Sequence, residues 1–180
     1  MATQAQGAPR LAGCSRPRYG RSVEPTRFIT DTSLARFGRW LRFLGYDVAI
    51  LKGARLDEVF DAAGREDRVA LTLSVRRPRA PGVAVAAVER GREEDALRRL
   101  VARHRASGPP FSRCVECNTA LQSRSAVEAV GEVPGRVLRA FQTLRYCPTC
   151  GKWYWEGSHV ARTREALERR LGHPLESMPH

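Results

Sequence analysis

Apolar residues in this chain gather in short continuous blocks, and the segments between the blocks carry a helical period. Phe28-Ile29-Thr30, Val48 to Leu51, Val69 to Leu73 and Val83 to Val88 each read as a strand buried on both faces. Between the first two, Leu34, Phe37, Leu41 and Leu44 share one face of a helix that follows the capping run Asp31-Thr32-Ser33 and stops at Gly45. Leu56 to Ala63 predicts a second helix ended by Gly64. Arg92 to Arg105 predicts a third, with Leu97, Leu100 and Val101 turned inward. The order βαβαββ followed by a helix predicts an α/β fold with a mostly parallel sheet covered on both faces, which places a ligand site at the carboxyl ends of the strands.

Ser107-Gly108-Pro109-Pro110 then marks a hinge, and the pattern changes. Beyond it lie two Cys-x-x-Cys pairs, Cys114/Cys117 and Cys147/Cys150, the second within Cys147-Pro148-Thr149-Cys150-Gly151-Lys152. Each pair closes a tight turn that points two thiolates at one ion, and two such turns complete the tetrahedral sulfur shell of a structural Zn²⁺ site. Met1 to Gly20 is polar and basic, with no hydrophobic signal segment, which favours zinc over two disulfides and predicts a cytoplasmic protein. Asn118 to Tyr146 is long enough to hold a small ordered insertion, and Val160 to Leu171 predicts a closing helix. Three segments follow: a flexible basic arm over residues 1–26, an α/β domain over 27–107, and a zinc-ribbon module with its closing helix over 108–180.

Charge narrows the partners. The chain has 180 residues, 42% of them hydrophobic, and a formal net charge of +12. No apolar run approaches the roughly 20 residues of a membrane span. Arginine and lysine on this scale suit a polyanion, because contacts to phosphates release counterions, and RNA or DNA is the default candidate. Arg36, Arg39 and Arg42 recur along the first helix on the side away from its apolar face and predict a row for a nucleic-acid backbone or simply a solvated face.

Asp31 ends the first strand and opens a helix, the position that points into the crevice of an α/β sheet. Asp57 and Glu58 open the next helix, so one of them is expected to join Asp31 around Mg²⁺ or Mn²⁺, which would activate water against a phosphodiester. Acids in a first helical turn are equally favoured by the helix dipole. Trp153, Tyr154 and Trp155 follow the second cysteine turn, where exposed aromatics stack on unpaired bases and buried ones form a ribbon's core; at least one is expected to face inward.

Three runs carry a specific resemblance: Phe28-Ile29-Thr30-Asp31, the stretch Leu34-Ala35-Arg36-Phe37-Gly38-Arg39-Trp40-Leu41-Arg42-Phe43-Leu44-Gly45-Tyr46-Asp47, and Cys147 to His159. Together they resemble the PIN-like Mut-seven C-terminal RNase domain family from about Arg27 to Leu171. The resemblance implies a PIN-like three-layer α/β domain with an appended four-cysteine zinc ribbon, and a metal-dependent ribonuclease with Asp31 as first metal acid and Asp57 or Glu58 as second. Where the family reads Thr-Arg-Asp, this chain has Thr72-Leu73-Ser74, so the third acid falls on a neutral hydroxyl. Arg76, Arg77 and Arg79 follow at once and favour phosphate binding over metal capture. The alternative expectation is a non-catalytic RNA- or ribosome-binding module with a structural zinc ribbon.

Overall fold

A computed structural model describes residues 24–74, 76, 78 and 82–178. Most of the arm, and Arg77 and Arg79, lie outside the described residues. The first unit runs β1 (Arg27–Asp31), α1 (Ala35–Phe43), β2 (Asp47–Leu51), α2 (Leu56–Glu66), β3 (Val69–Thr72), β4 (Val85–Ala87) and α3 (Glu93–Arg103). The four strands are all parallel in the order β2-β1-β3-β4, with Phe28 beside Val48 on one side and Val69 on the other. Successive side chains of β1 enter opposite layers, as the period of a strand requires. Phe28 packs with Leu34, Phe37, Leu41 and Leu97, from α1, its approach and α3, whereas Ile29 packs with Val59, Phe60, Ala62 and Ala63 of α2. This is the predicted three-layer α/β architecture with a parallel sheet.

The chain leaves β1 towards β2 and leaves β3 towards β4, so the strand order reverses between β1 and β3. That reversal is where open α/β sheets offer a crevice. Asp31 and the Thr72–Ser74 segment stand on its two sides.

Two boundaries differ from the pattern. The helix α2 continues past Gly64 to Glu66, and its stop is Asp67, in the left-handed region at φ 51°. Gly64 lies inside the helix, where an added Cβ would come within 3.2 Å of Val83. The closing helix, α5 (Ser158–Leu171), is also placed by packing: Leu167, Leu171, Leu175 and Met178 join the core of the α/β unit, not that of the ribbon. The ribbon consists of β5 (Gln122–Ser125), α4 (Gly135–Ala140), β6 (Thr143–Tyr146) and β7 (Trp153–Tyr154), with its strands antiparallel in that order. Its own small core is Ala126, Ala129, Val137 and Leu144, against which Trp153 and Trp155 pack.

The two units are joined by polar contacts along the outer edge of β2. Arg42 was expected on an open helix face; it is instead 4% exposed. Its Nε and Nη2 donate to the Val48 carbonyl at 2.9 and 2.7 Å, and its Nη1 donates to the carbonyls of Val115 and Glu116, both at 2.8 Å. The physical reason is that an edge strand and a cysteine turn both expose carbonyls that must be satisfied once buried, and a guanidinium presents a planar fork of donors. Asn118 adds two bonds, accepting from the Val48 amide (2.9 Å) and donating to Asp47 (2.8 Å). Asp47 also accepts from Arg68 at 2.6 Å and lies 3.7 Å from Arg113. Gly45 completes the join, since at φ 87° its missing side chain makes room for the Gly108 carbonyl of the linker, which a Cβ would strike.

Replacing Arg42 by Ala leaves the buried Val48 carbonyl and the part-buried Val115 and Glu116 carbonyls without this donor, and is expected to lower stability by about 3 kcal/mol in chemical denaturation. Arg42→Lys should recover little, because one ammonium cannot serve both β2 and the cysteine turn. Burial raises the Asp47 carboxyl's pKa, but its bonds to Arg68 and Asn118 outweigh this and leave it below the ordinary value of 3.8. A depressed acid stabilises the fold above its unfolded pKa and loses that contribution as pH falls through the folded value. Acid unfolding curves of the wild type should therefore steepen below about pH 4 relative to Asp47→Asn. Superimposable curves would show that Asp47 contributes nothing to the join.

Candidate functional site

The two Cys-x-x-Cys turns fold alike. In each, the first cysteine's amide donates to the carbonyl of the residue after the turn: Cys114 to Thr119 at 2.8 Å and Cys147 to Lys152 at 2.9 Å. The residue following the second cysteine returns its amide to the first cysteine's carbonyl: Asn118 to Cys114 and Gly151 to Cys147, both at 2.9 Å. Those residues share φ 70°, a conformation that glycine takes freely and asparagine tolerates.

The turns face one another and bring the four sulfurs within 4.8 Å. Cys114 and Cys150 are 3.7 Å apart, and Cys117 and Cys147 are 3.3 Å apart. A tetrahedral site with Zn–S near 2.3 Å sets its sulfurs about 3.8 Å apart, so the donor set and spacing fit zinc. Four thiolates leave no position for substrate water, and the ion would serve to hold the ribbon and its dock together.

Two neighbours tune the thiolates. Burial raises the Cys117 pKa, but hydrogen bonds centred on Thr119, whose hydroxyl is 3.6 Å from the sulfur, carry it down to about 6. Tyr154 places its hydroxyl 3.0 Å from Cys114 Sγ. Burial first, and the thiols second, push the phenol's pKa up, so it stays protonated and donates to the sulfur. Each of the three ribbon aromatics thus has a structural task, because Trp153 and Trp155 line the core and the Trp153 indole donates to Glu132 at 2.9 Å.

The strand-end crevice is built differently. Asp31 sits at the carboxyl end of β1, partly exposed, and one of its oxygens accepts the Ser33 amide at 2.7 Å. Asp57 and Glu58 occupy the exposed first turn of α2, where Glu58 accepts the Arg55 amide at 2.6 Å. Beyond β3, Thr72 Oγ1 accepts the Ser74 amide (2.9 Å), and Ser74 Oγ accepts the Arg76 amide (3.1 Å). The hydroxyl at the position where the third acid was expected is therefore engaged in a local turn. Every Asp and Glu of the chain falls among the described residues. Among those residues, the four cysteines are the one group of three or more metal-binding side chains that converges. The acids do not assemble a three-carboxylate Mg²⁺ or Mn²⁺ centre. Glu89, which follows β4, is exposed and pairs weakly with Arg92 at 3.8 Å.

Of the predicted arginines, Arg36 and Arg39 are exposed on α1, Arg76 is exposed beyond β3, and Arg42 is withdrawn into the dock.

The Mut7-C RNAse domain family matches residues 26–167, which covers the α/β unit, the ribbon and most of α5. The chain belongs to that family. No curated protein and no solved structure matches it. Membership of the Mut7-C family carries a ribonuclease-like or RNA-binding role, with RNA as partner, and the four-cysteine group is able to hold zinc. Among the described residues, no helix is long and apolar enough to cross a membrane.

Within this Mut7-C chain, the reading of spacing missed Arg42, Asp47 and Tyr154 as supports of the cysteine site. Arg42 carries the same residue type as its exposed neighbours, and nothing in its spacing marks it as buried. Asn118 did have a signal: like Gly151, it directly follows a Cys-x-x-Cys pair and is one of the few residue types that accept the left-handed turn.

Tyr154→Phe removes the one hydroxyl donor to Cys114 and keeps the ring. It is expected to weaken zinc affinity about tenfold in competition with a chromogenic chelator, with the fold intact by circular dichroism. Unchanged affinity would remove Tyr154 from the site.

Proposed function

We propose that this chain binds RNA on a ribonuclease-type scaffold through its cationic strand-end face, and does not cleave it by a three-carboxylate metal mechanism. The observation that carries the reading is Ser74. A neutral hydroxyl stands where the third acid is expected, its oxygen is engaged by the Arg76 amide, and Arg76 is exposed beside it. With two acids in place of three, the site has less negative charge to strip Mg²⁺ of its waters. Arg36, Arg39 and Arg76, with Arg77 and Arg79 next in the sequence, then act on phosphates, for which guanidinium forks suit bidentate contact. Zinc, held by Cys114, Cys117, Cys147 and Cys150, fixes the ribbon against β2.

A second reading, hydrolysis with Mg²⁺ or Mn²⁺ held by Asp31 and Asp57 or Glu58, is favoured by the strand-end placement of Asp31 and by the family's name. The two readings part on one experiment. Full-length protein is titrated into labelled RNA at low and physiological salt, and the same RNA is incubated with the protein and Mn²⁺. Affinity is expected to fall about a hundredfold between roughly 50 and 200 mM salt if all five arginines contact phosphates. Asp31→Asn should bind at least as tightly as the wild type. Cleavage that needs Mn²⁺ and disappears in Asp31→Asn would establish the catalytic reading instead.

A further inference from the structure

His159 has no task in the sites above, and it lines a groove of about 320 Å³ between α1 and α5. Trp40, Phe43 and Leu167 supply its apolar surface, and His159, Arg162 and Arg170 its polar side. No acidic residue lines it. The volume is near the lower end for small-ligand sites, about 300–1,000 Å³, and so suits a single nucleotide.

The basic side chains of the groove fall into two kinds. Arg170 is fixed: its guanidinium lies 4.7 Å from the Trp40 ring centre and donates to the Ala166 carbonyl at 2.8 Å. Its Nε is sealed from solvent without a hydrogen bond, the Glu94 carboxylate at 3.5 Å being close enough for charge pairing but poorly placed as an acceptor. Arg162 and the ring of His159 are exposed and have no hydrogen-bond or ion-pair partner among the described residues. An unpaired guanidinium and an unpaired imidazole beside an apolar, aromatic wall match the two halves of an unpaired nucleotide: a phosphate for the donors and a base for the apolar wall.

The groove also has a direction. His159 is in the first turn of α5 and Arg170 in its last. Arg170 meets Glu94 in the first turn of α3, and Arg36, whose guanidinium lies 5.2 Å from the Trp40 ring centre, is in the first turn of α1. The helices α1 and α3 both begin where the strands end. The stack of Arg36, Trp40 and Arg170 therefore leads from His159 towards the strand-end crevice.

We infer that this groove holds one unpaired nucleotide of a single RNA strand, its base against Phe43 and the Arg170–Trp40 stack and its phosphate on Arg162 and His159, and guides that strand to the crevice. The inference rests on the reading that RNA is the partner.

The test uses full-length zinc-loaded protein and a short oligouridylate carrying 4-thiouridine. Photo-crosslinks are expected in peptides that contain Trp40–Phe43 and His159–Leu167, and crosslinks confined to the ribbon or to the Arg76 loop would overturn the groove. Arg162→Glu should weaken oligouridylate binding at least tenfold, whereas Arg139→Glu, a matched charge change in the ribbon, should weaken it much less. Equal losses would mean bulk charge alone, and would also overturn it. If Arg162→Glu misfolds, Arg162→Gln replaces it, with a smaller loss and a salt slope reduced by about one contact. Failure of the wild type to bind any RNA would end the parent reading; binding that ignores Arg162 and crosslinks elsewhere would end this one alone.

Discussion

A buried guanidinium, with Asn118 beside it, ties the two halves of this protein together. Arg42 reaches from α1 across the edge of β2 to the carbonyls between Cys114 and Cys117, and it satisfies in one group what would otherwise be three stranded acceptors. Burial depresses its pKa, and the thiols of Cys114 and Cys117 oppose that shift, so the charge is retained where a tetrathiolate site most needs a counter-charge. A hydrophobic residue at this position would pack but would leave the carbonyls bare. The ribbon is therefore part of the α/β unit's edge, and the open edge of a parallel sheet is closed by it.

The same economy explains the polar set around Asp47. One partly buried carboxylate receives Arg68 from the start of β3 and Asn118 from the first cysteine turn, with Arg113 nearby. Such a group is stable only while its partners stay in place, so the geometry of the cysteine turn and of the sheet edge depend on each other. A zinc ion held by the four cysteines would be coupled to fold stability through these bonds, as metal binding and folding generally are.

At the opposite end of the sheet the constraint is the reverse. Catalysis of phosphodiester hydrolysis by metal needs several acids held close against their mutual repulsion, and that strain is tolerated only when an ion is there to relieve it. Here one acid of the expected set is a serine folded back on its own loop, and arginines follow it. On the proposed reading, such an arrangement would hold a polyanion without attacking it. On the same reading, the groove between α1 and α5 would add an apolar wall for a base.

Much of this was legible without coordinates. Continuous apolar blocks and helical periods specified the parallel sheet and its helices, because burial on two faces leaves no polar position in a strand such as Val69–Leu71. The Cys-x-x-Cys pairs specified their own chemistry, since a tight turn fixes both thiolates locally. What spacing left open is everything that depends on which face meets which. Arg36, Arg39 and Arg42 look alike in the sequence, yet only the last meets a strand edge and a turn. Gly64 reads as a helix stop but lies inside the helix against Val83, while the stop falls to Asp67. The closing helix reads as the ribbon's, but its leucines find the larger apolar surface beside α3. Residue type and period are local properties of the chain; burial, pairing of charges and the partners of a helix face arise only when distant segments share space, and these were decided by the tertiary structure alone.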